Sequence, residues 1–268
     1  MSFVLNGVIS KEEIRNLFIP SVTKSLVSSN FVTSETVLDA ASVKIPGIVD
    51  FNVSDYTGTV SITDATDTSV LLTLDQAKYF AKQIDKVDNA QSAVKVIGKI
   101  LDRGAYATAA AIDTYVFDIL GSATNTVTAT TVDETDVIEW VLAMGTKLST
   151  LGAPLNGRKL AISPEVKAKL AQANIVLNTT SAEEASREGY VGRFGGFDIY
   201  ESLNLKAGAT TGKFAVATVE DAAVLGIGYQ QYDVSEPDHL FKYLAKGLAN
   251  YGAKIVQPAY VVACDVIA

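Results

Sequence analysis

Between Asp88 and Leu120, apolar or small residues return at Val94, Ile97, Leu101, Ala105, Thr108, Ile112, Val116 and Ile119. This is the three-four spacing of one helical face, and Lys95, Lys99, Asp102, Arg103, Asp113 and Asp118 take the other faces. The spacing predicts one long helix. Asp88 with Gln91 supplies a capping box, and Gly121 opens a polar tail that ends the helix. At 1.5 Å per residue it would run about 50 Å, a spine longer than one small globule needs. The run Ala105, Ala107, Ala109, Ala110 and Ala111 thins its middle, so something broad and flat should cross it there.

Before the spine the period changes to two. Val49, Phe51 and Val53 alternate with Asn52 and Ser54, Val60 and Ile62 answer them, and Val70, Leu72 and Leu74 resume the alternation after a polar break. Residues 43–74 therefore read as a long β-ribbon turning at Thr57 and Gly58. A lone two-stranded ribbon is at best marginally stable in water, so this one must rest on a neighbour, and another chain is the favoured support. Upstream, Ser10 and Glu13 form a capping box ahead of Ile14, Leu17 and Phe18, and Pro20 interrupts, which gives a short helix and an irregular arm. Residues 75–87 fit neither period, because Tyr79, Phe80 and Ile84 match no single face.

After the spine, the polar, Thr-rich residues 121–133 suggest a boundary. Residues 134–151 form a helix with Ile138, Val141, Leu142 and Leu148 on one face. Lys159 to Ile162 is a short buried strand, and Ser163, Pro164 and Glu165 start a helix as N-cap, N1 proline and first-turn acid. Strand-like segments follow at 197–200, 214–218 and 222–227. Residues 241–267 form a long extended stretch interrupted at Gly252 and Pro258. The pattern is α+β.

Composition narrows the function. The 268 residues are 48% hydrophobic, enough for real cores, and 30 acidic against 22 basic residues give a net charge of -8. Phosphate contacts dominate nucleic-acid affinity, so a dispersed acidic balance argues against a sequence-reading nucleic-acid binder. A single Cys264 excludes an intrachain disulfide, no secretory leader is visible, and no apolar run reaches the ~20 residues a membrane helix needs. A cytoplasmic protein is expected.

The candidate chemistry is thin. His239 is the single histidine, read as a surface residue beside Pro237 and Asp238, and Cys264 reads as a buried thiol in a terminal strand. Gly189, Gly192, Gly195 and Gly196 precede a strand instead of opening a helix, so they read as turn chemistry and not as a phosphate loop. Asp85 with Asp88, and Glu183 with Glu184, read as solvated charge, and Gly226 with Gly228 lacks the rest of a dinucleotide fingerprint. No catalytic, cofactor-binding or metal residue is expected, and no cofactor.

Taken in order, several segments resemble the major capsid proteins of tailed double-stranded DNA phages, the Hong Kong ninety-seven type fold. The resemblance begins at Ile19 and Pro20. It continues through Val43 to Pro46, Val53 to Tyr56, Leu74 to Gln76, Lys78 to Phe80, and Ile84, Asp85, Val87, Asp88, Ala90 and Gln91. It then takes in Pro154, Gly157, Arg158, Ser163 and Pro164. The most specific piece is Gly189, Gly192, and Gly196 through Tyr200, with Ser202 and Asn204; Tyr251 to Lys254 with Pro258 resembles the closing strand. The family often places a His just before the pair matching Ala222 and Ala223, where this chain has Glu220 and Asp221.

The resemblance implies an N-terminal arm (1–42), an extended ribbon loop (43–74) and a peripheral domain with the spine helix (75–131). An axial domain (132–239), a peripheral return strand (240–257) and a closing axial strand (258–268) complete it. It implies a structural protein, not an enzyme, that self-assembles through pentamers and hexamers into an icosahedral-type shell around viral DNA, without sequence-specific binding. Scaffolding, portal and decoration proteins are its possible partners. The place would be the virion capsid, assembled in the host cytoplasm. An acidic balance suits a container, since a wall rich in Lys and Arg would hold packed DNA too tightly to release it. The rival readings are an encapsulin-like nanocompartment shell enclosing protein cargo, and an acidic α+β enzyme using carboxylates.

Overall fold

The computed structural model describes residues 27–36, 42–47, 68–85, 96–173, 190–208, 212–235 and 241–267. A 3-10 turn, Val27–Asn30, leads into β1, Thr33–Thr36; then come β2, Ser42–Gly47, β3, Thr68–Thr73, and β4, Gln76–Asp85. The helix α1, Val96–Leu120, is followed by β5, Thr126–Thr131, α2, Val137–Thr150, β6, Lys159–Ile162, and α3, Pro164–Gln172. The chain ends with β7, Tyr190–Phe194, β8, Phe197–Glu201, β9, Lys213–Thr218, β10, Ala223–Ser235, β11, Lys242–Ile255, and β12, Val261–Ile267. Among the described residues three sheets result: β1-β10-β11-β4, β5-β12-β9-β6-β8-β7, and the pair β2-β3.

The expected spine is present over Val96–Leu120, and its expected start at Asp88 lies outside the described residues. Its thin middle does admit a sheet. Ala105 and Ala109 are buried in one core cluster with Ala245 and Tyr251 of β11. Gly104 seats the Phe80 ring of β4 so closely that a Cβ would lie 2.6 Å from it. That contact resolves the ambiguous residues 75–87 as a strand: β4 pairs with β11 along ten residues, Gln76↔Tyr251 to Asp85↔Lys242. Tertiary pairing, not local period, decides this segment.

The six-stranded sheet is covered on both faces. Along β6, Leu160 and Ile162 face one cluster and Ala161 the other; along β9, Ala215 and Ala217 oppose Val216; along β12, Val262 and Cys264 oppose Val261 and Ala263. One face meets α2 and α3 through Trp140, Met144, Leu148, Val166 and Leu170. The other meets the C-terminal half of α1 through Ile112, Val116 and Leu120. Strands buried on both faces read as continuous apolar runs, which explains the sequence of β6, β9 and β12.

Several expectations need correction. Helix α2 buries Val137, Trp140, Val141, Met144 and Leu148, while Ile138 and Leu142, expected on the inner face, stand 38% and 50% exposed. Trp140 turns the helix, because its indole reaches Cys264 beneath the sheet. The suggested boundary at 121–133 contains β5, a strand parallel to β12. Strand β10 extends to Ser235 and pairs with β11, so residues 223–235 belong to the four-stranded sheet and not with the rest of 132–239. Residues 126–131 likewise lie in the six-stranded sheet, apart from α1 and β4. Gly252 does not break β11, and Asp113 is 2% exposed within α1, not on an open face.

Candidate assembly surfaces

Three surfaces emerge where the chain departs from its two cores. The first is the root of the ribbon. β2 and β3 pair antiparallel from Ser42↔Thr73 to Gly47↔Thr68, in a sheet of their own. The alternation read from the sequence holds here: Leu72 is buried, its cross-strand partner Val43 half-buried, and Leu71 is 46% exposed on the opposite face. The turn at Thr57 and Gly58, with Phe51, Val53 and Ile62, lies outside the described residues.

Three contacts fix this root to the body. Gly252 of β11 lies under the β3–β4 connection so closely that a Cβ there would meet the Thr73 carbonyl at 2.1 Å, leaving space for no side chain. The Lys254 ammonium donates to the Leu71 carbonyl at 3.0 Å. The Tyr115 hydroxyl of α1 donates to Asp75 at 2.8 Å, and its ring packs edge-on against Tyr251 at 5.5 Å between centroids. Burial, then the hydrogen bond to Asp75 and its charge, push the Tyr115 hydroxyl up to about 12.

The second surface is the face of the four-stranded sheet turned away from α1. Tyr79 and Leu248 stand directly opposite each other there, 80% and 36% exposed. An aromatic and a leucine thus stand exposed opposite each other on neighbouring strands, uncovered by the subunit's own elements.

The third is the end of the arm. The Asp113 carboxylate accepts from the Val27 and Ser28 backbone N–H groups at 3.2 and 3.0 Å and from the Ser28 hydroxyl at 2.5 Å. Burial pushes its carboxyl up, and the Ser28 and Val27 hydrogen bonds oppose this. Phe31 packs edge-on against Phe117 and Tyr200, at 5.7 and 5.4 Å between centroids. The sequence showed none of this: Asp113 was placed only off the apolar face of the spine, and Ser28 carried no signal.

The residues weighed for chemistry are placed as follows. Cys264 is buried in β12, where the Trp140 indole N–H donates to its Sγ at 3.4 Å; burial pushes the thiol up, away from the reactive thiolate. His239, Asp88, Glu183, Glu184 and Gly189 lie outside the described residues. Of the glycines read as turn chemistry, Gly195 and Gly196 form the turn between β7 and β8 with φ of 60° and 85°, and Gly192, φ 150°, sits at an irregularity in their pairing. What looked like one loop is a hairpin whose first strand is β7. Arg158, one of the residues on which the resemblance rests, is structural: buried, it donates to the carbonyls of Gly145, Ala153 and Pro154 and to the Ser149 hydroxyl, tying the loop after α2 to that helix's C-terminal turn. Among the described residues, no group of three or more His, Cys, Asp and Glu could hold a metal, and no helix is long and apolar enough to cross a membrane.

A spine helix with long strands, a mixed sheet flanked by helices and a ribbon pair in a sheet of its own match what the resemblance implies, and the family profile described as phage capsid protein matches residues 49–263. The chain belongs to the phage capsid protein family. Its fold is of the Hong Kong ninety-seven type, and it is a structural, shell-forming capsid protein. A solved chain from Mycobacterium phage Che8 is 26% identical, with 84% of this chain and 85% of that chain covered and a TM-score of 0.68. The capsid of Ralstonia phage GP4 is 14% identical over 100% of this chain and 94% of that chain, with a TM-score of 0.72. A virus-like particle from Pyrococcus furiosus is 13% identical over 96% and 100%, with a TM-score of 0.61. No curated protein matches the sequence. Of the three, the pair Tyr79 and Leu248 and the outer face of the ribbon root at Leu71 are left uncovered by this subunit, while the end of the arm is packed into it.

Proposed function

We propose that this capsid protein builds a closed icosahedral-type shell of pentamers and hexamers around double-stranded DNA, with residues 43–74 crossing onto an adjacent subunit. The observation that carries this reading is the ribbon itself. Its described strands form a separate two-stranded sheet anchored at one end, and such a pair does not persist in water without a surface to lie on. A neighbouring copy supplies that surface, and Tyr79 with Leu248 is an apolar site open to contact.

In this reading β4, β10, β11 and α1 make a peripheral domain, and the six-stranded sheet with α2 and α3 an axial one. The protein has no catalytic role. The net charge of -8 suits a wall that encloses DNA without gripping it. Scaffolding, portal and decoration proteins join at assembly in the host cytoplasm. The second reading is a shell of the same fold around protein cargo. Electron microscopy of purified particles separates the two: encapsidated DNA supports the first, and an enclosed protein overturns it.

The ribbon is tested by Phe51→Ala. If its ring is buried between subunits, truncation removes about 2 to 4 kcal/mol per contact, repeated at every equivalent interface of the shell. Circular dichroism should show normal helix content while sedimentation shows failed shells. Unfolding of the subunit would place the ribbon in its own subunit's core, and unchanged shells would remove it from the contact.

A further inference from the structure

Residues 27–36 touch nearly everything that meets at the centre of the subunit. The turn Val27–Asn30 sits on Asp113 of α1, and the Lys159 ammonium of β6 donates to the Asn30 carbonyl at 2.6 Å. Phe31 lies between Phe117 of α1 and Tyr200 of β8. β1 then runs parallel to β10 for four residues, Thr33↔Val224 to Thr36↔Ile227. The Thr33 hydroxyl donates at 2.8 Å to Asp221, a non-glycine residue held at φ 62° in the turn joining β9 to β10. One ten-residue segment thus bridges the four-stranded sheet, the spine and the six-stranded sheet.

Each of these elements also has partners outside the segment. Without it β10 keeps β11, the six-stranded sheet keeps α2 and α3, and α1 keeps β4 and β11. Phe31 and Val32 enter the buried cluster, Val27 packs half-buried against it, and β1 is a short edge strand. Its polar lock sets burial against hydrogen bonding: Asp113 loses hydration in the closed state and accepts from Val27 and Ser28 there, with a side-chain hydrogen bond to Asn204 beside them, so opening gives up the Val27 and Ser28 bonds and returns hydration.

We infer that residues 27–36 form a separable strap, locked by Ser28 on Asp113 and by Thr33 on Asp221, that can open as one unit while both cores stay folded. The strap sets where the chain before Val27 joins the body. Its opening changes that junction and the coupling between the sheets without unfolding the subunit.

Hydrogen exchange on the full chain before assembly, resolved by segment, tests this. Ser28→Ala removes the shortest hydrogen bond of the lock and should raise exchange across residues 31–36 and the facing residues 224–227 by about tenfold or more. Exchange at Leu160, Ile162 and Val262 should stay at the wild-type rate. Thr33→Ala, on the exposed end, should raise exchange in the same two segments by a smaller factor, which shows that the two ends belong to one unit. A rise spread evenly over both cores, or unfolding, means the strap is part of the global fold and overturns the inference. So does wild-type exchange in both variants, or a rise confined to the residues next to each substitution.

Discussion

The six-stranded sheet and the ribbon pair are both β-structure, yet they stand at opposite ends of self-sufficiency. In the first, every strand of β12, β9 and β6 has a neighbour on each side and a hydrophobic layer on each face. In the second, two strands pair with each other and touch the body at one end. The contrast teaches that this chain divides its apolar surface between folding and assembly. The sheet's residues are used up within the subunit; of the ribbon's described alternate residues, Leu72 is buried in the same subunit and Leu71 on the opposite face stays exposed. Substitutions in the two regions should therefore fail in different assays.

The largest effect belongs to the sheet. Phe197 is 0% exposed, and Gly145 of α2 leaves its ring a place, with a Cβ there 3.4 Å away. Phe197→Ala should cost about 3 to 5 kcal/mol and unfold a fraction of subunits before any assembly. Chemical denaturation measures it. If instead the variant denatures like wild type and fails only in shell formation, the sheet is not the self-sufficient partner in the comparison.

A substitution at the junction should split the two assays. Gly252→Ala forces a methyl to 2.1 Å from the Thr73 carbonyl, and the obstacle is backbone, which cannot rotate away. Expected is a moderate loss of stability, about 1 to 3 kcal/mol, as the β3–β4 connection lifts. Shell assembly should be lost more severely than that figure implies, because the ribbon would leave the body at a different angle. Normal assembly at reduced stability would show that the ribbon's exit angle is not set at Gly252.

How much of this was legible follows the same division. Where a residue's surroundings are its own helix or strand, the sequence carried it: the spine's face at Ala105, Ile112 and Val116, the alternation at Val43 and Leu72, and the cap at Ser163, which accepts from the Val166 N–H. Where the surroundings come from a distant segment, local pattern failed. Residues 76–85 match no period because β11 pairs with them across more than 150 residues, and residues 126–131 look like a polar linker because β12 lies at the chain's end. Asp113 was the sharpest miss, since a carboxylate in a helix reads as solvent-facing until Ser28, 85 residues earlier, arrives to cap it. The ribbon was legible as a deficit, an apolar alternation in a strand pair with no core of its own, while the exposed pair Tyr79 and Leu248 was not, because the strand of Tyr79 matched no period.

The smallest effect probes the ribbon root through protonation. Tyr115 donates to Asp75 only while its hydroxyl keeps the proton, and that hydroxyl is pushed up to about 12 in the folded subunit against about 10 for an ordinary tyrosine. A folded pKa above the unfolded one means the folded state holds its proton longer. The contribution is therefore fully present below pH ~10 and is lost as pH rises from there through about 12. Once ionised, the phenolate faces the Asp75 carboxylate, so a hydrogen bond becomes a repulsion at the point where the ribbon leaves the body. Tyr115→Phe removes the donor at every pH and should cost within about 1 kcal/mol near neutrality, where the ring still packs on Tyr251. The measurement is unfolding stability against pH for both chains, with phenolate absorbance followed in parallel. The two curves should lie apart at neutral pH and converge as Tyr115 ionises. Parallel curves up to pH ~12 would mean that Tyr115 ionises without loss of the contact, and that the root is held by Gly252 and Lys254 alone.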